Sequence, residues 1–147
     1  MDEQRFSLES DSKVDAGKKP VRLLVVDDNP NNLLITSKLS QYLGYDAETT
    51  NNGVDALSLL KDKPFDIVLM DVRMAPMNGI EAAQKIRSGE AGDHNAKAYI
   101  IAVTAHALQG DKEKCLSSGM DDYLSKPLTL DRLQDSLNRA RSRLSLD

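Results

Sequence analysis

The stretch VRLLVVDDNPNNLLITSKLSQYLG, Val21–Gly44, decides the fold. Its first part, Val21–Val26, is a run of aliphatic residues broken only by Arg22, and it stops abruptly at Asp27 and Asp28. A near-continuous Val/Leu run of this kind is expected of a strand covered on both faces, as in a parallel sheet. The second part, near Asn31–Leu43, carries apolar residues at helical spacing, and Gly44 follows as a C-terminal stop. A buried strand followed directly by a helix is the opening half of a βαβ unit.

The same alternation recurs downstream. Short runs at Tyr45–Thr49, Asp66–Met70, Ala98–Val103 and Asp122–Leu124 are separated by helical segments near Val54–Lys61, Ile80–Ser88, Gln109–Ser118 and Leu130–Leu144. Thr129 or the neighbouring Asp131 can cap the last helix. The pattern predicts an α/β, doubly wound (βα)5 domain with a five-stranded parallel sheet, in which the more polar second strand suits an edge. In the first helix, Ile35, Leu39 and Leu43 at i, i+4 and i+8 form the expected core stripe. The 100° step then turns Leu33 and Leu34 toward the opposite side, where an exposed apolar pair is a candidate partner-docking patch.

With 147 residues the chain has room for one hydrophobic core. Residues 1–20 are polar and without apolar periodicity, so a flexible tail is expected there and a folded domain over 21–147. Only a few residues follow the last helical segment, which leaves no expected place for a separate output domain. No apolar run approaches the roughly 20 residues a membrane span needs. The N-terminus lacks the apolar centre of a secretory signal, and the single Cys115, most simply a small buried hydrophobe, has no partner for an internal disulfide. A cytoplasmic location without membrane insertion is the expectation. A net charge of −4 with scattered Lys and Arg lacks the basic footprint of a nucleic-acid binder, so direct nucleic-acid binding is not expected.

In an open parallel sheet, ligands bind beyond the carboxyl ends of the strands. Those ends are polar here: Asp27-Asp28 after the first run, Asp71 after the third, Thr104 after the fourth and Ser125-Lys126-Pro127 after the fifth. Carboxylates crowded at one edge repel one another unless a cation sits among them. Oxygen ligands without His or Cys suit Mg2+, with Asp28 and Asp71 as direct ligands and Asp27 orienting its waters. The Lys126 amine and the Thr104 hydroxyl are donors that an acidic metal cluster alone does not need. They suit a phosphoryl group, whose transfer is mostly positioning and neutralisation of equatorial oxygens while Asp71 attacks.

The motifs LLVVDDNP (Leu23–Pro30), LMDVRM (Leu69–Met74) with NGIEA (Asn78–Ala82), VTAHA (Val103–Ala107) and GMDDYLSKPL (Gly119–Leu128) resemble the response-regulator receiver family over roughly Arg22–Ala140. Within it, the wording of Val103–Ala107 and Gly110–Leu128 is similar to receivers attached to hybrid kinases. The resemblance implies a flavodoxin-like fold with strand order 2-1-3-4-5. It makes Asp71 the phosphoacceptor, Asp27 and Asp28 the acidic pair, Thr104 the switch hydroxyl, Tyr123 the aromatic switch and Lys126 the phosphate-binding lysine. The backbone carbonyl of Arg73 joins the Mg2+ ligands, and a cis peptide is implied at Lys126–Pro127. Arg73 and His106 fall at the mouth of the site, where they are expected to shield the acyl phosphate; a plain surface role for His106 stands beside that. The expected phosphodonor partner is a histidine kinase or a histidine phosphotransfer protein, which in the family docks through the first helix; the downstream target is unknown.

One departure from the family pattern is that Ala75 occupies the usual place of proline, which here is Pro76. As a receiver the chain is not expected to be an enzyme, although it assists its own transfer and dephosphorylation; it would be part of a histidine kinase only as a piece of a hybrid protein. The residues disfavour two alternatives. A phosphatase of the haloacid dehalogenase type needs an aspartate two residues after the nucleophile, where Arg73 stands, and a receiver-like binding module would have lost the acid cluster, which is present.

Overall fold

The computed structural model of the chain describes residues 21–105 and 110–145. Their order is β1 (Arg22–Val26), α1 (Pro30–Tyr42), β2 (Asp46–Thr50), α2 (Gly53–Asp62), β3 (Ile67–Asp71) and α3 (Gly79–Arg87). A 3-10 turn over Asp93–Asn95 precedes β4 (Tyr99–Thr104), α4 (Asp111–Ser117), β5 (Asp122–Ser125) and α5 (Leu130–Leu144). The expected N-terminal tail and His106 lie outside the described residues. Among those described, no helix is long and apolar enough to cross a membrane.

All strands are parallel and ordered β2-β1-β3-β4-β5, as expected. The polar β2 is at the edge. Side chains alternate across the sheet, so each buried strand feeds two cores at once. Leu24, Val26, Val68, Met70, Ile100 and Ala102 face α2, α3 and α4. Leu23, Val25, Ile67, Leu69, Ile101 and Val103 face α1 and α5. This double covering explains why β1, β3 and β4 read as unbroken apolar runs. Truncating a side chain such as Ile101 or Leu69 to alanine removes contacts worth about 2–5 kcal/mol.

Helix α1 departs from the expected phase. Ile35, assigned to the core stripe, is 53% exposed, whereas Leu33, expected outside, packs against the core with Leu39 and Leu43. The buried line runs through Thr36 and Ser40, whose hydroxyl donates to the Thr36 carbonyl at 2.8 Å. Small polar residues that satisfy their own hydroxyls can face the sheet, and they carry no signal in an apolar count. The exposed pair is therefore Leu34 and Ile35.

Other differences are small. β2, β3 and β4 are displaced C-terminally by one residue, so that Thr50, Asp71 and Thr104 complete them. Gly44 ends the α1 turn with φ +93°, a conformation that glycine adopts without a Cβ clash.

Candidate functional site

The loops at the carboxyl ends of the strands are shaped by helix caps. The Asn29 side chain accepts from the backbone N–H of Asn31 and Asn32 at 2.9 and 3.1 Å, starting α1 just after the acidic pair. Asn78 and Glu81 form a reciprocal capping box that starts α3. Thr129 accepts from the Arg132 N–H and starts α5. Each cap fixes where its helix begins beyond the strand end.

The α3 start also depends on a close approach. Gly79 donates its N–H to the Val72 carbonyl at 2.9 Å, and a Cβ placed there would run into the Asp71 carbonyl oxygen and stand 2.9 Å from Val72 Cα. Only glycine lets α3 begin this near the end of β3. The motif NGIEA contains this residue, but nothing in the sequence shows the contact that demands it.

Asp71 is the last residue of β3 and is nearly fully buried. Asp27 extends β1, with its N–H donating to the Thr50 carbonyl at 3.2 Å and its carboxylate accepting from the Asn29 N–H at 2.9 Å. It too is buried, whereas Asp28 is exposed. One carboxylate oxygen from each of Asp27, Asp28 and Asp71 lies within 4.8 Å of the others. The set offers oxygen only, and it suits a hard divalent cation such as Mg2+.

Lys126 enters from the end of β5 and is placed by its N–H donating to the Thr104 carbonyl at 2.8 Å. Its Nζ is 3.0 Å from Asp27 Oδ2 and 3.3 Å from Asp71 Oδ1. Burial, followed by the charge of Asp27, pushes the Asp71 carboxyl up to about 6 despite Lys126 and the Arg73 N–H. At Lys126 burial alone would lower the amine; hydrogen bonds and charge from Asp27 and Asp71 outweigh it and raise the pKa. One lysine therefore leaves the acidic set short of positive charge.

Thr104 ends β4 fully buried, one residue beyond Val103, the register partner of Asp71. Tyr123 lies in β5 beside Ala102, half-buried against the α2–α4 side of the core. Arg73, two residues beyond Asp71, has an exposed side chain. Its guanidinium reaches Asp111 at the start of α4, Nη2 to Oδ2 3.4 Å. Both residues line a cleft of about 500 Å3 together with Asp28, Asn78 and Lys114. Asp111 carries no motif of its own and was not a sequence candidate. The peptide Lys126–Pro127 is cis, as expected, and so is Ala75–Pro76.

A family model described as the response regulator receiver domain matches residues 23–138. The chain is 44% identical over 108 residues to the sensor histidine kinase GacS of Pseudomonas protegens, a match covering 74% of this chain and 12% of that protein. It thus spans about an eighth of that relative's length. The receiver domain of sensor histidine kinase PA1611 from Pseudomonas aeruginosa, solved with a magnesium ion coordinated in its active-site cleft, superposes with TM-score 0.74 at 36% identity. That match covers 82% of this chain and 97% of the other. The receiver domain of Saccharomyces cerevisiae Ssk1, solved with the histidine phosphotransfer protein Ypd1, gives TM-score 0.71 at 31% identity, covering 80% and 86%.

Proposed function

Because this chain belongs to the response regulator receiver family, we propose that it accepts a phosphoryl group on Asp71 from a phosphohistidine protein and converts that charge into a changed interaction surface. The observation that carries this reading is Lys126 Nζ bridging Asp27 and Asp71 at 3.0 and 3.3 Å at the ends of three strands. An ammonium bound between two carboxylates is already placed to follow an oxygen of a phosphoryl group built on one of them.

The Asp71 carboxylate attacks phosphorus, the bond from phosphorus to the donor imidazole nitrogen breaks, and its electron pair stays with the imidazole. Lys126 and the Thr104 hydroxyl neutralise phosphoryl oxygens as they gain charge. Asp28 and Asp71 would hold Mg2+ directly, with the Arg73 carbonyl, and Asp27 would orient its waters. The ion, when bound, supplies positive charge to the transferring group. Thr104, drawn toward the phosphoryl group, leaves space for the half-buried Tyr123 ring to turn inward, which alters the α4–β5 surface.

The chain itself is then a transfer partner rather than a turnover enzyme. Its placement is cytoplasmic, in keeping with a buried, unpaired Cys115. Its donor would be a histidine kinase or a histidine phosphotransfer protein; a close structural likeness to the Ssk1 receiver bound by Ypd1 supports the second. The test incubates the wild-type chain and Asp71→Asn with acetyl phosphate and Mg2+ and reads intact mass. An adduct of about 80 Da, one phosphoryl group, is expected on the wild type and absent from the variant; an unmodified wild type rejects the reading.

A further inference from the structure

The side chain of Arg73 is rooted beside the acceptor, since its own backbone N–H points at Asp71 Oδ1 at 3.4 Å. Yet its guanidinium crosses the cleft to Asp111, the first residue of α4. The pair is unequal: the Arg73 side chain is 56% exposed and that of Asp111 18%. Asp111 is the fixed member, and Arg73 is a long arm attached at one end to the reacting loop. A single contact of 3.4 Å to a carboxylate is weak beside the short, two-pronged contacts a guanidinium makes with a phosphoryl group. Lys114, one turn along α4, lines the same cleft and gives Asp111 a second cation to face when Arg73 leaves.

We propose that Asp111 is a positioning residue that holds Arg73 away from the acceptor at rest and competes with the phosphoryl group for it afterwards, so shortening the life of the acyl phosphate. The inference rests on the phosphorylation of Asp71. A phosphoryl group brings about two negative charges to the foot of the Arg73 side chain. With the guanidinium on its oxygens, the path of attacking water is covered. When Asp111 recaptures Arg73 the path opens: water attacks phosphorus, the phosphorus–oxygen bond to Asp71 breaks, and inorganic phosphate, the Asp71 carboxylate and one proton result. The exchange also releases the start of α4 from the β3–α3 loop next to Tyr123, linking phosphoryl lifetime to the surface that is read.

The test phosphorylates the full chain with acetyl phosphate and Mg2+, removes the donor and follows loss of the adduct by intact mass. Asp111→Asn is expected to decay about two- to fivefold more slowly, the scale of an exposed ion pair. Asp111→Glu should restore the wild-type rate, and Arg73→Ala should decay faster than wild type. In the Arg73→Ala background Asp111→Asn should change nothing, a result that a merely structural role for Asp111 would not produce. Equal decay of Asp111→Asn and wild type overturns the proposal, as does slowing that persists without Arg73. A wild type that takes no phosphoryl group overturns the Asp71 reading and this inference together; a labelled wild type with unchanged variants overturns only the inference.

Discussion

At the scale of single residues, Asp71 is held in tension. It is buried beside another carboxylate, with one lysine shared between them, and its carboxyl titrates near 6 rather than at its ordinary 3.8. A raised carboxyl pKa means that the folded state binds a proton the unfolded chain has already released. Stability of the metal-free protein therefore falls as pH rises from about 4 to 6, and the loss is fully present above 6. Asp71→Asn should be more stable than wild type in chelator at pH 7, by on the order of 1–3 kcal/mol, with the gain vanishing near pH 4. Urea denaturation at the two pH values measures it, and a gain equal at both would show that the carboxylate charge is not its source. Added Mg2+ should narrow the difference at pH 7 by stabilising only the chain that keeps the acid.

At the scale of elements, α1 shows how a helix can be located correctly and rotated wrongly. Its extent followed from apolar spacing and its end from Gly44, but its buried line includes Thr36 and Ser40, so Leu34 and Ile35 face outward at 55% and 53% exposure. Ile35 shares a small surface pocket with Lys126, Pro127 and Leu128, directly beside the acidic site. This places an apolar patch where a phosphohistidine helix would have to approach. Leu34→Asp and Ile35→Asp are expected to slow transfer from a phosphohistidine protein by about tenfold or more, a loss of about 1.4 kcal/mol. Phosphorylation by acetyl phosphate should fall much less; equal losses by the two donors would remove the patch from docking.

At the scale of the whole molecule, the two ends of the sheet do different work. The carboxyl ends gather acids around one lysine, and the opposite end is closed by Arg87 from the last turn of α3. Its guanidinium donates to the carbonyls of Gly119, Ala96 and Ala98 at 2.8, 2.9 and 2.6 Å and to Asp121 at 2.6 Å. Asp121 in turn accepts from the Ile100 N–H at 2.9 Å, so the starts of β4 and β5 are tied through one side chain. Arg87→Met keeps most of the stem but leaves the three carbonyls without this donor, and Asp121 with Arg143 at 3.3 Å and the Ile100 N–H. A loss on the order of 3 kcal/mol is expected, read as a lower thermal midpoint. Labelling by acetyl phosphate well below that midpoint should persist, because the tie lies at the far end of the strands. Loss of labelling in a variant that still shows a cooperative transition would contradict this division.

The alternation of strands and helices, the edge position of β2 and the chemistry at each strand end were legible in the sequence, because all are local: a period, a breaker and the residue at which an apolar run stops. Asp27, Asp28, Asp71, Thr104 and Lys126 could be picked out that way before their distances were known. The rotation of α1 was not legible, since Thr36 and Ser40 look polar in sequence, and the bond from the Ser40 hydroxyl to the Thr36 carbonyl is seen only in the folded helix. Nor were the direction of Arg73 toward Asp111, the need for glycine at position 79, or the Arg87 tie to Gly119 and Asp121. Each depends on groups brought together across the fold, and a charged side chain chooses its partner by distance and burial, which only the packed tertiary structure sets.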